Sequence, residues 1–267
     1  AVSYYMILSE KTLSDENAKM VFTVPDTGVT YTEEIPVSKA VKHDDYYVFT
    51  CKVAAKEMTS AISAKLITSE SELQLDDYTV QNYAKDILAN PETYAKEQEL
   101  VKKMLNYGAQ AQLYFNYNTD KLANNTEYMT EQEKTVELYG FAGAPYILEG
   151  TEAGVTYYGT ALSLETELMF KHYFIIDESV DAQSLEITCD YPVTLKKNGN
   201  FYELTISDIP AHKMGENSLK VALGGITLDY TIYSYGALAQ NSGKEALWTV
   251  VSALAHFAGE ATMYAYK

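Results

Sequence analysis

Apolar and polar residues alternate in short runs between Val2 and Val80. Clusters of Asp, Asn, Gly and Pro separate the runs, which are Tyr5-Ile7, Met20-Phe22-Val24, Val29-Tyr31, Tyr47-Phe49-Cys51 and Ile62-Ala64-Leu66. A period of two sends successive side chains to opposite faces of a strand, so that one face can be buried while the other meets solvent. The pattern therefore predicts an antiparallel β-sandwich.

After Val80 the apolar period becomes helical. It predicts a short helix over about 82–89 that ends at Asn90-Pro91, two residues that also suit the N-cap and first turn of a second helix. The second helix has an apolar stripe at intervals of three and four residues, which predicts one buried face. Its members are Leu100, Met104, Tyr107, Ala111 and Phe115.

This order of elements occurs twice. The segment YTVQNYA at 78–84 returns as YTIYSYG at 230–236, and each copy precedes a long Ala-rich helical stretch. Self-similarity over this length is typical of tandem domains. We therefore predict an α+β fold with two tandem copies of a small antiparallel, immunoglobulin-like β-sandwich, each followed by a helical hairpin.

The predicted modules span 1–127 and 155–267, and a connector spans 128–154. The connector contains a short helix over about 130–138, where Thr130 and Glu133 have the spacing of a capping box. The second copy also has an extra alternating run, Thr160–Leu164, whereas the first copy starts directly at Val2. We expect the first copy to lack its first strand, and the chain to be a mature or excised piece.

Composition narrows the classes of partner. The chain has 267 residues, 47% of them hydrophobic, and a formal charge of −17. This charge argues against nucleic acid, because phosphate binding needs clustered Lys and Arg. No apolar run approaches the roughly 20 residues of a membrane span, so we expect no membrane insertion. Cys51 and Cys189 do not correspond under the repeat, which favours two thiols over a disulfide.

Catalytic motifs are missing from the sequence. It contains no G-x-S-x-G, H-E-x-x-H, C-x-x-C, P-loop or G-x-G-x-x-G pattern. The four histidines fall in separate contexts without metal-ligand spacing. We therefore predict that the protein is not an enzyme.

One loop resembles a calcium-binding pattern. Oxygen ligands occupy positions 1, 3, 5, 9 and 12 of an EF-hand-like loop, with a backbone carbonyl at position 7. The side-chain ligands would be Asn116, Asn118, Asp120, Asn124 and Glu127. Position 6, where the chain turns sharply and Gly is usual, is Lys121. A polar loop that ends the helix is the favoured alternative, and we expect no cofactor, with calcium left open.

Tyrosine is abundant, with 24 residues. Aromatic faces stack on sugar rings and also dominate protein-recognition surfaces. Tyrosines that recur in both copies are explained by shared packing, whereas unmatched aromatic residues are free to bind a ligand. The predicted ligand-binding residues are Tyr157, Tyr158, Tyr233 and Trp248, which lie in the second copy.

The segment DYTVQNYAKDILANPETYAKEQELVKKMLNYGAQAQLYFNYNTDKLAN at 77–124 carries a family resemblance. It resembles tandem modules of large multidomain secreted or cell-surface proteins of gut Clostridia, of the Ruminococcus and Lachnospiraceae type, a family of unassigned function. The match covers about 46–124 well and the second copy weakly, since Tyr-Gly-Ala there becomes Phe-Ala-Gly and the Asn-Thr-Asp loop is absent. The resemblance implies an extracellular or cell-surface setting and a non-catalytic role, and it supplies no catalytic residues.

Three functions remain open at this point. The first is a carbohydrate-binding or adhesion module whose partner is a polysaccharide or host glycan, which we favour. The second is a surface module that binds a host protein such as an immunoglobulin. The third is a structural spacer that holds other domains away from the cell wall.

Overall fold

The computed structural model describes residues 2–26, 29–142, 146–164, 167–215 and 218–266. Its strands are β1 Val2–Met6, β2 Lys19–Asp26, β3 Val29–Pro36, β4 Val41–His43, β5 Tyr46–Cys51, β6 Ser63–Ile67, β7 Glu72–Gln74, β8 Ile147–Gly150, β9 Val155–Ser163, β10 Met169–Ile176, β11 Ile187–Cys189, β12 Val193–Asn198, β13 Phe201–Ile206, β14 Lys220–Leu223 and β15 Ile226–Asp229. Its α-helices are α1 Glu10–Leu13, α2 Val80–Ala89, α3 Gln98–Phe115, α4 Glu131–Lys134, α5 Ala211–Met214, α6 Ile232–Asn241 and α7 Glu245–Ala265. The fold is therefore α+β.

The strands form four antiparallel sheets across the described residues. In the first half of the chain the orders are β1-β5-β4 and β3-β2-β6-β7. In the second half they are β12-β13-β10-β9 and β11-β14-β15-β8. All pairings are antiparallel, as the alternating sequence pattern predicts.

The period-two pattern marks the buried face of each central strand. In β2, Met20, Phe22 and Val24 are fully buried, while the residues between them are partly exposed. In β13, Leu204 and Ile206 are buried in the same way. Each such side chain contributes about 1.5–3 kcal/mol when it leaves water, so the alternation fixes which face of the strand turns inward.

The helices after Val80 differ in part from the prediction. Helix α2 begins after Thr79, whose Oγ1 accepts a hydrogen bond from the Asn82 amide at 2.9 Å. The prediction that a second helix starts at Asn90-Pro91 is wrong, because turns precede α3 at Gln98. The side-chain Nε2 of Gln98 donates a hydrogen bond to the Ile87 carbonyl, near the end of α2, at 2.8 Å. This tertiary contact outweighs the local capping signal.

The two long helices pack against each other. Helices α3 and α7 run antiparallel, since Tyr264 near the end of α7 donates to Glu97 Oε1 just before α3, at 3.0 Å. Near their midpoints, the rings of Tyr107 and Phe257 stack with centroids 6.2 Å apart and planes 12° apart. A single hydrophobic core runs through both halves of the chain. Each long helix therefore packs on its counterpart as well as on its own half.

The connector is held against these helices by hydrogen bonds. Helix α4 has the predicted capping box between Thr130 and Glu133, although the helix ends at Lys134. Asn106, buried in α3, donates to the Glu133 carbonyl at 2.7 Å. From α7, Ser252 Oγ accepts from the Tyr139 amide at 3.0 Å. The chain between 130 and 141 is thus part of the packed structure.

Two helical glycines offer a matched stability test. A methyl group at Gly108 would lie 2.5 Å from Met58 Sδ and 3.0 Å from Ala123 Cβ, whereas one at Gly259 would meet no atom within 4 Å. We expect Gly108→Ala to destabilise the protein by about 1–3 kcal/mol through overpacking. Gly259→Ala should stabilise it by about 0.5–1 kcal/mol through helix propensity. Urea unfolding of both variants tests this, and equal effects would contradict the close approach at Gly108.

Candidate binding cleft

A cleft of about 480 Å³ lies where the connector meets the second half of the chain. Its aromatic walls are Tyr139, Phe141, Tyr146 and Tyr233. Residues 143–145, which follow Phe141 and Ala142 in the chain, lie outside the described residues. The cleft thus combines connector residues with the N-terminal turn of α6.

Contacts with α6 and α7 position the connector rings. The Phe141 amide donates to Gln240 Oε1 at 2.9 Å. Gly236 makes room for the Phe141 side chain, since a Cβ atom at this position would overlap the ring. Behind the cleft, Trp248 Nε1 donates to the Tyr139 carbonyl at 2.9 Å. These fixed contacts make the aromatic wall preorganised.

The rings form a compact cluster. The Tyr139 centroid lies 4.8 Å from that of Phe141 and 5.7 Å from that of Tyr233. The third pair, Phe141 and Tyr233, is 6.5 Å apart. These distances and the tilted planes are in the range of favourable aromatic contacts. The cluster therefore presents an apolar, π-rich surface to the cleft.

The tyrosine hydroxyls supply the free polar groups. Those of Tyr139, Tyr146 and Tyr233 have no hydrogen-bond partner within the described part of the chain. Burial, with a smaller contribution from Tyr139, raises the pKa of Tyr233, so its hydroxyl stays protonated at neutral pH. The cleft can therefore both donate hydrogen bonds to a ligand and accept them.

The carboxylate of Asp229, which lines the cleft, already accepts two hydrogen bonds from the protein. Asp229 Oδ2 accepts from Ser218 Oγ at 2.7 Å, and its Oδ1 accepts from the Leu219 amide at 3.2 Å. Thr231 and Ser234 cap the start of α6 reciprocally. These polar side chains hold the backbone in place, and the arrangement suits binding better than proton transfer.

The structure brings three of the four predicted ligand-binding residues to this region. Tyr233 lines the cleft, and Trp248 supports it from behind. The ring of Tyr157 packs against that of Tyr146 at 5.5 Å. Tyr158 points to the opposite face of β9, where it is 64% exposed and lies 4.4 Å from the Phe201 ring. Tyr158 is therefore separate from the cleft.

A buried polar cluster lies beside Tyr157. The hydroxyls of Tyr157 and Tyr230 are buried without a hydrogen-bond partner in the described structure. Thr160 Oγ1 donates its proton to the Lys171 carbonyl at 2.9 Å. In its contact with His172 Nδ1 at 3.2 Å, Thr160 Oγ1 is therefore the acceptor and the ring N–H of His172 is the donor. Burial lowers the pKa of His172 to about 4. The histidine is therefore neutral at physiological pH.

Two side chains and two backbone carbonyls of the calcium-like loop are used in hydrogen bonds within the protein. Gln112 Nε2 donates to the carbonyls of Asn118 at 3.3 Å and Lys121 at 3.0 Å, so a side-chain amide lies where the carbonyls converge. The side-chain Nδ2 of Asn118 donates to Thr59 Oγ1, and the side-chain Nδ2 of Asn124 donates to Asn106 Oδ1. The remaining predicted ligands, Asn116, Asp120 and Glu127, are exposed. In the described ranges, no group of three or more acidic, His or Cys side chains could hold a metal ion.

We expect calcium to leave the stability of the protein unchanged. A cation that binds only the folded state raises the melting temperature by mass action. The melting temperature should therefore be the same in millimolar calcium and in a chelator, as measured by circular dichroism. A rise in calcium that disappears in Asp120→Ala and Glu127→Ala would contradict this expectation.

Sequence reasoning missed the connector aromatics. Tyr139, Phe141 and Tyr146 lie in the segment predicted to be a connector, where no periodic pattern marks a site. One signal was present in the repeat: Ala84 of the first copy is Gly236 in the second. Loss of a methyl group at a buried helix position indicates that another group occupies the space, and that group is Phe141.

Comparison with family models, with curated proteins and with solved structures finds no significant match to this chain. Among the described helices, none has the length and apolar character required to cross a membrane.

Proposed function

We propose that the chain is an internal duplication of one module, an immunoglobulin-like β-sandwich followed by a helical hairpin. The sheet orders support this, because β5 joins β1 to β4 as β13 joins β10 to β12. The stacked pair Tyr107 and Phe257 occupies matching positions of the two long helices. Two equivalent helices that meet antiparallel at equivalent residues have an approximate twofold relation. On this proposal the modules span 1–127 and 155–267, and the connector 128–154 adds β8 to a sheet of the second module.

We infer that the protein is a non-catalytic binding or adhesion module of a bacterial cell-surface protein, and that it binds a glycan. The observation that carries this proposal is the preorganised cluster of Tyr139, Phe141 and Tyr233, together with Tyr146 on the wall of the same cleft and the three tyrosine hydroxyls that have no partner among the described residues. Sugar rings present C–H groups that pack on aromatic faces and hydroxyls that hydrogen-bond at the edges. An aromatic cleft rimmed by tyrosine hydroxyls complements both features. An extracellular location follows from this role.

The central test is a glycan array probed with the full chain and three variants. We expect Tyr233→Ala and Tyr139→Ala to weaken binding of any array hit by roughly 1–2 kcal/mol, because each removes a stacking surface. Tyr158→Ala, a large exposed ring outside the cleft, should leave affinity unchanged. Affinity would be measured by isothermal titration calorimetry after the melting temperatures are shown to match.

Two outcomes would contradict the proposal. Loss of binding in Tyr158→Ala alone would place the site on the exposed face of β9. An array without hits, together with capture of an immunoglobulin from serum, would favour the host-protein alternative. In that case the same cleft variants would show whether the aromatic cluster is the contact surface.

A further inference from the structure

A second cleft, of about 460 Å³, lies between α3, α7 and the connector. It is close in size to the aromatic cleft, and both volumes are in the range of binding sites for small molecules. All three elements contribute polar side chains to its walls, namely Lys103, Asn106, Gln132, Thr135, Glu137 and His256. The aromatic cluster described above uses none of these residues.

The two clefts meet at the ring pair of Tyr139 and His256. Tyr139 lines the aromatic cleft, and His256 lines the second cleft. Their ring centroids are 5.5 Å apart and their planes are inclined at 66°, which is an edge-to-face contact. The Tyr139 ring also contacts Phe141 and Tyr233 within the aromatic cleft. A ligand that extends past Tyr139 from the aromatic cleft therefore reaches the second cleft.

Helix α7 holds the connector between the clefts. Trp248 Nε1 donates to the Tyr139 carbonyl, and Ser252 Oγ accepts from the Tyr139 amide. One helical turn further on, His256 Nε2 donates to the Glu137 carbonyl at 2.9 Å. Residues four apart lie on one face of a helix, so one face of α7 positions this part of the connector. The two clefts are therefore in place before a ligand binds, which lowers the entropic cost of binding.

The second cleft offers polar groups of several kinds. The side chains of Lys103, Gln132 and Glu137 make no hydrogen bond or ion pair within the described part of the chain. The neighbouring Lys102, by contrast, is paired with Glu133 at 2.6 Å. An ammonium group donates, a carboxylate accepts and an amide does both. Such a set complements the hydroxyl groups of a sugar.

The charges in the clefts favour an uncharged ligand. Among the described residues that line the aromatic cleft, Asp229 is the one charged side chain. In the second cleft, the charges of Lys103 and Glu137 are opposite. The whole chain has a formal charge of −17. An acidic ligand would therefore be repelled by the protein and would meet a carboxylate in the aromatic cleft.

We propose that the two clefts are subsites of one site, which binds an uncharged linear oligosaccharide across Tyr139. One sugar unit lies on the rings of the aromatic cluster. A unit further along the same oligosaccharide lies in the second cleft, where Lys103 and Gln132 bind its hydroxyls. The inference rests on the glycan-binding function proposed above, and it adds that the ligand is uncharged and longer than a monosaccharide.

The probes are linear oligosaccharides of increasing length, from the monosaccharide to the hexasaccharide. Four series are neutral, built from glucose, xylose, mannose or N-acetylglucosamine, and a fifth is built from galacturonic acid. Isothermal titration calorimetry with the full chain measures each Kd. We expect a neutral series to bind, and its affinity to rise at least roughly tenfold once the oligosaccharide is long enough to pass Tyr139. The acidic series should bind at least roughly tenfold more weakly.

Variants of the second cleft test the extension. In the double variant Lys103→Ala/Gln132→Ala, the gain of affinity with length should disappear. Binding of the shortest oligosaccharide should be unchanged, because it occupies only the aromatic cleft. Tyr233→Ala should weaken short and long oligosaccharides alike. Lys85→Ala, which removes a similarly half-buried lysine from α2, is the matched control and should change neither.

Four results would overturn the inference. An affinity independent of length, or a gain with length that persists in the double variant, would show that the second cleft is outside the site. If Tyr233→Ala still weakened binding, the glycan-binding function would stand without it. Tighter binding of the galacturonic acid series would exclude an uncharged ligand. Absence of binding to all neutral series would exclude this ligand class, and the glycan array would then decide the general function separately.

Discussion

Leu105→Asp is expected to unfold most of the protein at neutral pH. Leu105 is fully buried in α3, and an ionised carboxylate cannot be solvated there. The loss of packing and the burial of charge together should cost about 4–5 kcal/mol or more, a large share of the total stability of a typical fold. Circular dichroism in urea measures the change.

The matched control for this variant is Leu113→Asp. Leu113 lies in the same helix but is exposed, so the same chemical change should alter stability by no more than about 0.5 kcal/mol. Similar melting of the two variants would contradict the burial of α3. Because one core is continuous between the halves, we also expect the second half to lose its cooperative unfolding transition in Leu105→Asp.

Acidification from pH 6.5 to pH 4 is expected to destabilise the protein through His172. Burial holds the pKa of the folded histidine at about 4, while the unfolded chain titrates near 6.5. As pH falls through this window, the unfolded state takes up a proton that the folded state excludes, so the free energy of unfolding decreases. The full effect is about 3 kcal/mol and is reached below pH 4.

The measurement compares the chain with His172→Asn in urea at pH 7 and pH 4.5. Asparagine retains a donor directed towards Thr160 but carries no titratable group. Acid titration of Asp and Glu is common to both proteins and cancels in the difference. The variant should therefore lose less stability on acidification. An identical loss in the two proteins would show that His172 is protonated in the folded state at pH 4.5.

The α+β class and the antiparallel strands could be predicted from the sequence, because burial in the strands has a simple period of two. Alternation in β2 identified the buried residues Met20, Phe22 and Val24 individually, and the capping box at Thr130 was visible as a spacing of three. The start of α3 could not be predicted. The Asn90-Pro91 signal is local, whereas the contact of Gln98 with the end of α2 depends on how the chain folds back.

The candidate site shows the same division between local and tertiary information. Tyr233 and Trp248 could be selected as residues that break the repeat, and both lie at the aromatic cluster. Tyr139 and Phe141 could not, because their placement depends on hydrogen bonds to α6 and α7 from distant parts of the chain. Neighbouring residues on a strand point to opposite faces, so the sequence predicts that Tyr157 and Tyr158 face in opposite directions. The sequence does not say which of the two faces the cleft.

The antiparallel pair of α3 and α7 has a consequence for multivalent recognition. Two domains joined by a flexible linker can adjust their spacing to a ligand. Two halves that share a core and a stacked Tyr107–Phe257 pair cannot. The ion pairs of Lys52 with Glu167 and Asp208, each at 2.6 Å, also join the halves. Avidity gained by engaging two surfaces of this chain at once would therefore depend on a ligand whose own repeat matches a fixed separation. The fixed separation of the two surfaces would thus select partners by the length of their repeat.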